Sequence, residues 1–178
     1  MRALALLSFL TAAVLAGCAS QASPDAPPNA APSVQAASDL EAGHYLVEVG
    51  SCHDCHTPGF MENPVGIPDS LWLTGGAVGF RGPWGTSYPR NLRLFVQELT
   101  EDQWVARLQG SGLPPMPWPA VNELSEPDAR AIYRYIRSLG PAGQQAPRPV
   151  PPSEEPATPY MDFVVQHLER LGAAPSVP

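Results

Sequence analysis

The sequence predicts an all-α fold for the central part of this 178-residue chain. Three segments between residues 38 and 140 combine helical spacing of apolar residues with side chains that cap helix ends. The stretches between these segments are rich in glycine and proline, which favours loops. No run of alternating apolar and polar residues indicates a strand. The expected domain is therefore mainly helical.

The first two predicted helices begin with capping boxes. Ser38 can cap the first helix with Glu41 three residues later, and Thr100 can cap the second with Gln103 in the same position. Gly110 ends the second helix. Leu40, Tyr45, Leu46 and Val49 fit a helical stripe on the first helix, and Trp104, Val105 and Leu108 line the inner face of the second.

The third predicted helix and a short tail helix follow. Ser125 caps the third helix, Pro127 lies in its first turn, and Gly140 stops it. A shorter amphipathic helix is expected over residues 158–172, because its apolar residues recur at helical spacing. The apolar positions of these two helices are Ala129, Ile132, Tyr133, Ile136, Leu139, Tyr160, Phe163, Val164, Leu168 and Leu171.

The chain begins as a targeting segment. Met1 and Arg2 form a short positive region, and the apolar run that follows is too short to span a bilayer as a mature helix. It ends in LAGC, residues 15–18, which resembles the lipobox of bacterial lipoprotein signal peptides. The resemblance implies that Cys18 is acylated and holds the protein on the periplasmic side of a bacterial membrane, inner or outer. The alternative is an ordinary secretory signal that releases the protein into the periplasm.

Composition divides the chain into a compact centre and extended ends. The expected organisation is a signal peptide at 1–17, an acylated cysteine with a Pro/Ala-rich linker at 18–37, a domain at 38–140, a Pro-rich linker at 141–157, the short helix at 158–172 and a disordered end at 173–178. The formal net charge is −7 and the chain contains no lysine. This balance does not favour binding to phosphate groups, so nucleic acid is not an expected partner.

Cys52, Cys55 and His56 form the sequence CHDCH. Zinc needs four ligands, usually from two separated pairs, and only one pair is present here. A thioredoxin-like disulfide expects a preceding strand, whereas a predicted helix precedes Cys52. Covalent haem explains more, because the thiols can add to two vinyl groups and the adjacent histidine can reach the iron. One haem c per chain is therefore expected.

The iron then needs a sixth ligand. Met116 in PPMPW, residues 114–118, is the best candidate, because a proline-rich loop can hold a thioether at low entropic cost. The alternative is that Met116 only packs. Met61 is too close to His56 to reach the other haem face, and Met161 lies in the predicted tail helix.

Seven short motifs run in order through the central region: GHYL at 43–46, CHDCHTP at 52–58, LTGG at 73–76, YPRNL at 88–92, LTEDQW at 99–104, PMPW at 115–118 and DARAIYRYI at 128–136. Together they resemble a class I monohaem cytochrome c domain, and are closest to the cytochrome c modules that accompany bacterial dehydrogenases. The resemblance implies that a helix around residues 39–51 crosses a helix around 126–139 beside a covalent haem.

The resemblance also implies the surroundings of the haem. A backbone carbonyl should accept from the second ring nitrogen of His56, with Pro68 as the candidate and Pro64 as the alternative. The possible haem-pocket contacts are Pro68, Trp72, Trp84, Tyr88, Arg90, Asn91 and Trp118.

Electron transfer is the expected function. An iron with histidine and methionine ligands has its coordination sites filled, so it exchanges single electrons and binds no small-molecule substrate. No constellation of catalytic side chains stands out, so the chain is expected to be a carrier and not an enzyme. The alternatives are an electron-transfer subunit of a dehydrogenase or oxidase complex, and a haem enzyme or gas sensor with a labile sixth ligand. The acidic, lysine-free composition favours a redox protein partner with a basic or largely apolar docking surface.

Overall fold

The computed structural model describes residues 31–172. Cys18, the predicted signal peptide, most of the first linker and residues 173–178 lie outside the described residues. The α-helices are α1 (Asp39–Val49), α2 (Cys52–His56), α3 (Leu92–Phe95), α4 (Glu101–Leu108), α5 (Trp118–Asn122) and α6 (Glu126–Ser138). The strands are β1 (Gly79–Gly82), β2 (Gly85–Ser87) and β3 (Tyr160–Asp162), and short 3₁₀ helices span Asp69–Leu71 and Leu168–Leu171. None of the described helices has the length and apolarity needed to cross a bilayer.

The capping hydroxyls act where the sequence places them, but the predicted capping box at Ser38 is incomplete, because the Glu41 carboxylate accepts the N–H of Ala37. The hydroxyl of Ser38 accepts the backbone N–H of Glu41 at the start of α1. Thr100 and Gln103 form a complete, reciprocal capping box at the start of α4. Ser125 accepts the backbone N–H of Asp128 at the start of α6. These three predicted helix starts are confirmed, because each depends only on residues three positions apart.

The core lies where α1 packs against α6. Gly43 permits the close approach, since a Cβ there would come within 2.1 Å of the carbonyl oxygen of Ala131. Val47 and Ile136 are fully buried in this interface. The helix α4 closes the core from the side, and the indole of its Trp104 donates to the α6 backbone at 2.9 Å. Burial of such side chains stabilises the fold by about 1.5–3 kcal/mol each.

The prediction of an all-α fold is wrong. The described residues contain a three-stranded sheet in the order β2-β1-β3, so the fold is mixed α/β. Strands β1 and β2 form an antiparallel hairpin, while β1 and β3 pair in parallel with Phe80 opposite Met161. The strands are only three or four residues long and two of them begin with glycine. Pairing between distant segments therefore stabilises them, and strand propensity does not.

The C-terminal segment also departs from expectation. In place of the predicted helix at 158–172, the chain forms β3 and a short 3₁₀ helix. The predicted linker at 141–157 lies along the domain, because Asn91 donates to the carbonyls of Ala142 and Gln144 and Val150 bridges to Thr86. The open edge of β1 supplies backbone partners that a helical tail could not use. Residues 141–163 are called the C-terminal strap below.

Candidate haem site

Helix α2 presents the two cysteines of the CHDCH sequence. Ser51 adopts a left-handed conformation with φ of 52°, which turns the chain sharply between α1 and α2. Cys52 and Cys55 are half-buried free thiols and form no disulfide. Burial raises the pKa of Cys52 to about 11 and raises the pKa of Cys55 as well. Both sulfurs are therefore protonated thiols at neutral pH.

His56 follows directly and is oriented by one hydrogen bond. Its ring is 8% exposed, and its Nδ1 lies 2.8 Å from the carbonyl oxygen of Arg90. A carbonyl only accepts, so Nδ1 carries the proton and Nε2 holds the free lone pair. Burial lowers the pKa of His56, which keeps the ring neutral. The side chain thus offers a fixed nitrogen donor for a metal.

The expected acceptor for His56 was Pro68 or Pro64, and this expectation is wrong. The carbonyl of Pro68 instead accepts the N–H of Leu71 at 2.9 Å inside a 3₁₀ turn. The acceptor belongs to Arg90, 34 positions from His56. No signal in the sequence could have identified it, because every residue carries a carbonyl group.

A short loop supports α2 from behind. The N–H of Gly75 donates to the His56 carbonyl at 2.7 Å, and the N–H of Leu73 donates to the Thr57 hydroxyl at 2.9 Å. The same hydroxyl lies 2.7 Å from Nδ1 of His53, which is 2% exposed. The rings of His53 and Trp72 meet edge to face, with their centroids 5.3 Å apart. Sequence reasoning missed the roles of His53 and Thr57.

The loop that carries Met116 is held at both ends. On one side, the hydroxyl of Ser87 donates to the Pro114 carbonyl. On the other, the N–H of Trp118 donates to the Met116 carbonyl at 2.8 Å, where α5 begins. The Met116 side chain is half-buried. These contacts restrict the backbone of the loop that carries the thioether.

The segment 87–90 joins the two predicted iron ligands. Ser87 at one end contacts the Met116 loop, and Arg90 at the other end contacts the ring of His56. Four consecutive residues span at most about 11 Å between their first and last Cα atoms. The fold therefore brings the loop of Met116 and the ring of His56 to the same small region, although the two residues are 60 positions apart in the sequence.

Most other predicted pocket residues already have partners within the protein. The indole of Trp84 donates to the Phe80 carbonyl at 3.2 Å, and the Tyr88 hydroxyl lies 2.7 Å from the Thr158 hydroxyl. Asn91 caps α3 and binds the C-terminal strap. Their polar groups are satisfied by the fold itself. The Arg90 residue is exposed, and the Trp118 Nε1 is buried without a partner in the described residues.

The residues present fit a covalently attached haem. Two free thiols lie on one short helix, and the following histidine is neutral with its Nε2 unshared. Within residues 31–172, no three or more histidine, cysteine, aspartate or glutamate side chains gather as they would around a bare metal ion.

Comparison with known proteins agrees with this chemistry. No family model matches the chain, and no solved structure matches it significantly. The chain is similar to a cytochrome subunit. That protein is the fructose dehydrogenase cytochrome subunit of Gluconobacter japonicus, 29% identical over 146 residues, which are 76% of this chain and 28% of the relative. The chain thus spans little more than a quarter of its relative's length. This distant similarity supports a cytochrome module and implies haem.

Proposed function

We propose that the chain is a c-type cytochrome that carries single electrons between redox partners. Cys52 and Cys55 hold one haem by thioether bonds, and His56 and Met116 are the axial ligands of its iron. The observation that carries this proposal is the segment 87–90, which contacts both the ring of His56 and the loop of Met116. The similarity to a cytochrome subunit supports the same function.

The protein's own residues suit an electron carrier. Haem, when bound, supplies an iron centre that changes its charge by one electron. The carbonyl of Arg90 keeps the His56 ring in one orientation and one tautomer. The contacts of Ser87 and Trp118 restrict the Met116 loop. Fixed ligands keep the change of geometry on electron transfer small, which favours rapid exchange.

A second candidate is an electron-transfer subunit of a dehydrogenase complex. It is favoured by the name of the relative, which is a subunit of fructose dehydrogenase. In this role the chain would contribute no catalytic residues and would accept electrons from a neighbouring subunit. Copurification of an oxidoreductase with the native protein would distinguish this role from that of a free carrier.

The decisive experiment combines mass and spectrum. The intact protein should exceed its polypeptide mass by one haem that acid–acetone does not extract. Met116→Ala should open the iron, so that the variant binds carbon monoxide and its reduction potential falls, because a thioether ligand raises the potential. Met61→Ala is the matched control, since Met61 is 52% exposed, and should behave as wild type.

Other outcomes would identify the alternatives. If Met116→Ala keeps the wild-type spectrum and refuses carbon monoxide, Met116 is not a ligand. If the wild-type protein itself binds carbon monoxide readily, a haem enzyme or gas sensor is favoured. If acid–acetone removes all haem, attachment through the cysteines is refuted.

The anchor is a separate part of the proposal. Acylation of Cys18 would tether the carrier to the periplasmic side of a bacterial membrane, because two or three acyl chains bind stably at about 0.8 kcal/mol per buried methylene. Cys18→Ser should move the protein from the membrane fraction to the soluble periplasm or leave it unprocessed. Unchanged membrane association would mean that protein contacts hold it there.

A further inference from the structure

The C-terminal strap runs along both edges of the β1–β2 hairpin. On the β2 side, the N–H of Thr86 donates to the Val150 carbonyl at 2.8 Å, and the N–H of Val150 donates back to the Thr86 carbonyl at 2.9 Å. On the β1 side, β3 pairs with β1 in parallel. A two-stranded hairpin is marginally stable on its own in water, so this pairing on both sides stabilises it. Residues 150–163 are called the hairpin section of the strap below.

Side chains fix the hairpin section in place. The hydroxyl of Tyr88, which directly follows β2, lies 2.7 Å from the hydroxyl of Thr158. Phe80 is buried in β1 but lies apart from the core between α1 and α6. Its ring packs against that of Phe163, with the ring centres 5.8 Å apart. The strap therefore supplies both a hydrogen bond and an apolar contact to the hairpin.

The hairpin in turn holds the loop of Met116. Ser87 is the buried last residue of β2, and its hydroxyl donates to the carbonyl of Pro114, two residues before Met116. The N–H of Trp118 at the start of α5 donates to the Met116 carbonyl. Within the described part of the chain, no other group donates a hydrogen bond to residues 112–116. Ser87 is thus the link between the hairpin and the predicted methionine ligand.

The other predicted ligand has separate support. His56 is oriented by the carbonyl of Arg90, and the N–H of Gly76 donates to the neighbouring carbonyl of Pro89 at 3.1 Å. The strap reaches this end only near its own beginning, where its backbone carbonyls accept from Asn91. The orientation of His56 therefore does not depend on the hairpin section of the strap.

From this arrangement we infer that the hairpin section of the C-terminal strap positions Met116 for the iron, through the β1–β2 hairpin and the Ser87 hydroxyl. The inference rests on the proposed function. Thr158 and Phe163 are positioning residues, because they contact the hairpin and neither predicted ligand. Loosening them should let the Met116 loop open more often while His56 keeps its place.

The test uses the full-length, haem-loaded protein and compares Thr158→Val with Ser153→Ala. Each variant removes one hydroxyl from the strap with little change in size. Ser153 is exposed, and its side chain forms no hydrogen bond in residues 31–172. The readout is the rate at which the ferrous protein binds carbon monoxide, because carbon monoxide can reach the iron only when Met116 leaves it.

Thr158→Val should raise this rate about fivefold, which is the effect of losing one ordinary hydrogen bond on a local opening equilibrium. Thr158→Ser keeps the hydroxyl and should restore the wild-type rate, and Ser153→Ala should not change it. Phe163→Ala is a second, independent variant and should raise the rate about tenfold. Wild-type rates in both Thr158→Val and Phe163→Ala would overturn the inference.

A double variant tests the path through Ser87. Ser87→Ala removes the donor to Pro114 and should raise the rate of carbon monoxide binding by itself. If the strap acts through this hydroxyl, adding Thr158→Val to Ser87→Ala should change the rate less than twofold, because the two substitutions break one chain of contacts. A full fivefold effect in both backgrounds would contradict the proposed path and the inference with it.

A measurement at His56 separates positioning from general loosening. Exchange of the His56 Nδ1 proton, followed by NMR, should keep its wild-type rate in Thr158→Val, because the Arg90 carbonyl is held elsewhere. Acceleration by the same factor as carbon monoxide binding would show that the whole site opens, and would refute the inference.

The two proposals fail in different ways. Absence of covalent haem in the wild type, or carbon monoxide binding in Met116→Ala as slow as in the wild type, would refute the proposed function. Rapid binding in Met116→Ala together with wild-type rates in the strap variants would refute only the role of the strap.

Discussion

At the scale of single residues, Tyr135 carries a buried hydroxyl group that forms no hydrogen bond within the described residues. Its side chain is 8% exposed, and its hydroxyl has no hydrogen-bond partner in residues 31–172. It borders a shallow groove lined also by His44 and Trp72. Burial raises the pKa of Tyr135 to about 12. The buried, unpaired hydroxyl therefore lowers the free energy of unfolding, whereas a phenyl ring in the same place would not.

Tyr135→Phe should be as stable as wild type or more stable by up to about 1 kcal/mol, because it removes an unpaired polar group and keeps the ring. The wild type should also lose stability as pH rises from 10 toward 12, since the unfolded chain releases the tyrosine proton first. The variant should lack this part of the alkaline loss. Urea denaturation at pH 8 and at alkaline pH measures both effects.

Tyr45→Phe is the control for this comparison, because Tyr45 is 55% exposed. It should leave the stability unchanged at pH 8. A loss of more than about 2 kcal/mol in Tyr135→Phe would mean that the hydroxyl binds an ordered water or another partner.

At the scale of elements, the C-terminal strap is held by its end as well as by its backbone. Phe163 donates its N–H to the Arg81 carbonyl at 2.7 Å. Its ring lies 5.8 Å from Phe80 and 6.1 Å from Trp84. Beyond this point, Val165 is 65% exposed. Among the described residues, Phe163 is therefore the last whose side chain packs the strap against the sheet.

Phe163→Ala should loosen β3 without unfolding the helical core. Two aromatic pairs contribute roughly 0.5–1.5 kcal/mol each beyond burial, so local opening should become about tenfold more frequent or greater. Amide hydrogen exchange at residues 160–163 should accelerate by that factor, while α1 and α6 keep their protection.

Val165→Ala is the matched control and should change nothing at these amides. Accelerated exchange throughout α6 would contradict the independence of the strap and the core. Exchange that stays at the wild-type rate would mean that backbone pairing alone holds β3.

The elements also show which structural features the sequence predicts and which it does not. Helix starts at Thr100 and Ser125 were predictable, because caps act over three residues. The sheet was not predictable, because β1 pairs with β3, which lies far along the sequence, and neither strand shows the alternation of apolar and polar residues that indicates a strand. Within the site, the residue types of the cysteines and of His56 predict a haem attachment that stays a prediction, whereas the Arg90 carbonyl that orients His56 has no sequence signature.

At the scale of the whole molecule, charge distinguishes this chain from a lysine-rich protein. The chain contains seventeen acidic residues and ten arginines, and its formal net charge is −7. Several arginines are occupied internally; Arg130 and Arg134 join the ends of α1, α4 and α6 through Asp39, Glu101 and Glu126. The protein's long-range field is consequently negative, which favours a basic partner over an acidic one.

With a basic redox partner, the bimolecular electron-transfer rate should fall as salt is raised, by roughly tenfold or more from low to high ionic strength. Screening over a Debye length of about 8 Å at physiological salt is the cause. Stopped-flow mixing across a salt series measures the rate, and a small neutral reductant serves as the control. An apolar docking surface would leave the rate nearly flat, and a steep rise with salt would contradict both surfaces.

The pairing of β3 with β1 has a consequence for synthesis. Residues 160–162 pair with residues 79–81, so the sheet cannot close until residue 162 has been synthesised. As the chain emerges with its N-terminus first, all six described helices appear before β3, while the outer edge of the hairpin still has unpaired backbone groups. An unpaired edge is a template for another chain. Products of premature termination before residue 160 would thus expose an edge of β1 that β3 otherwise covers, and this edge could pair with another chain.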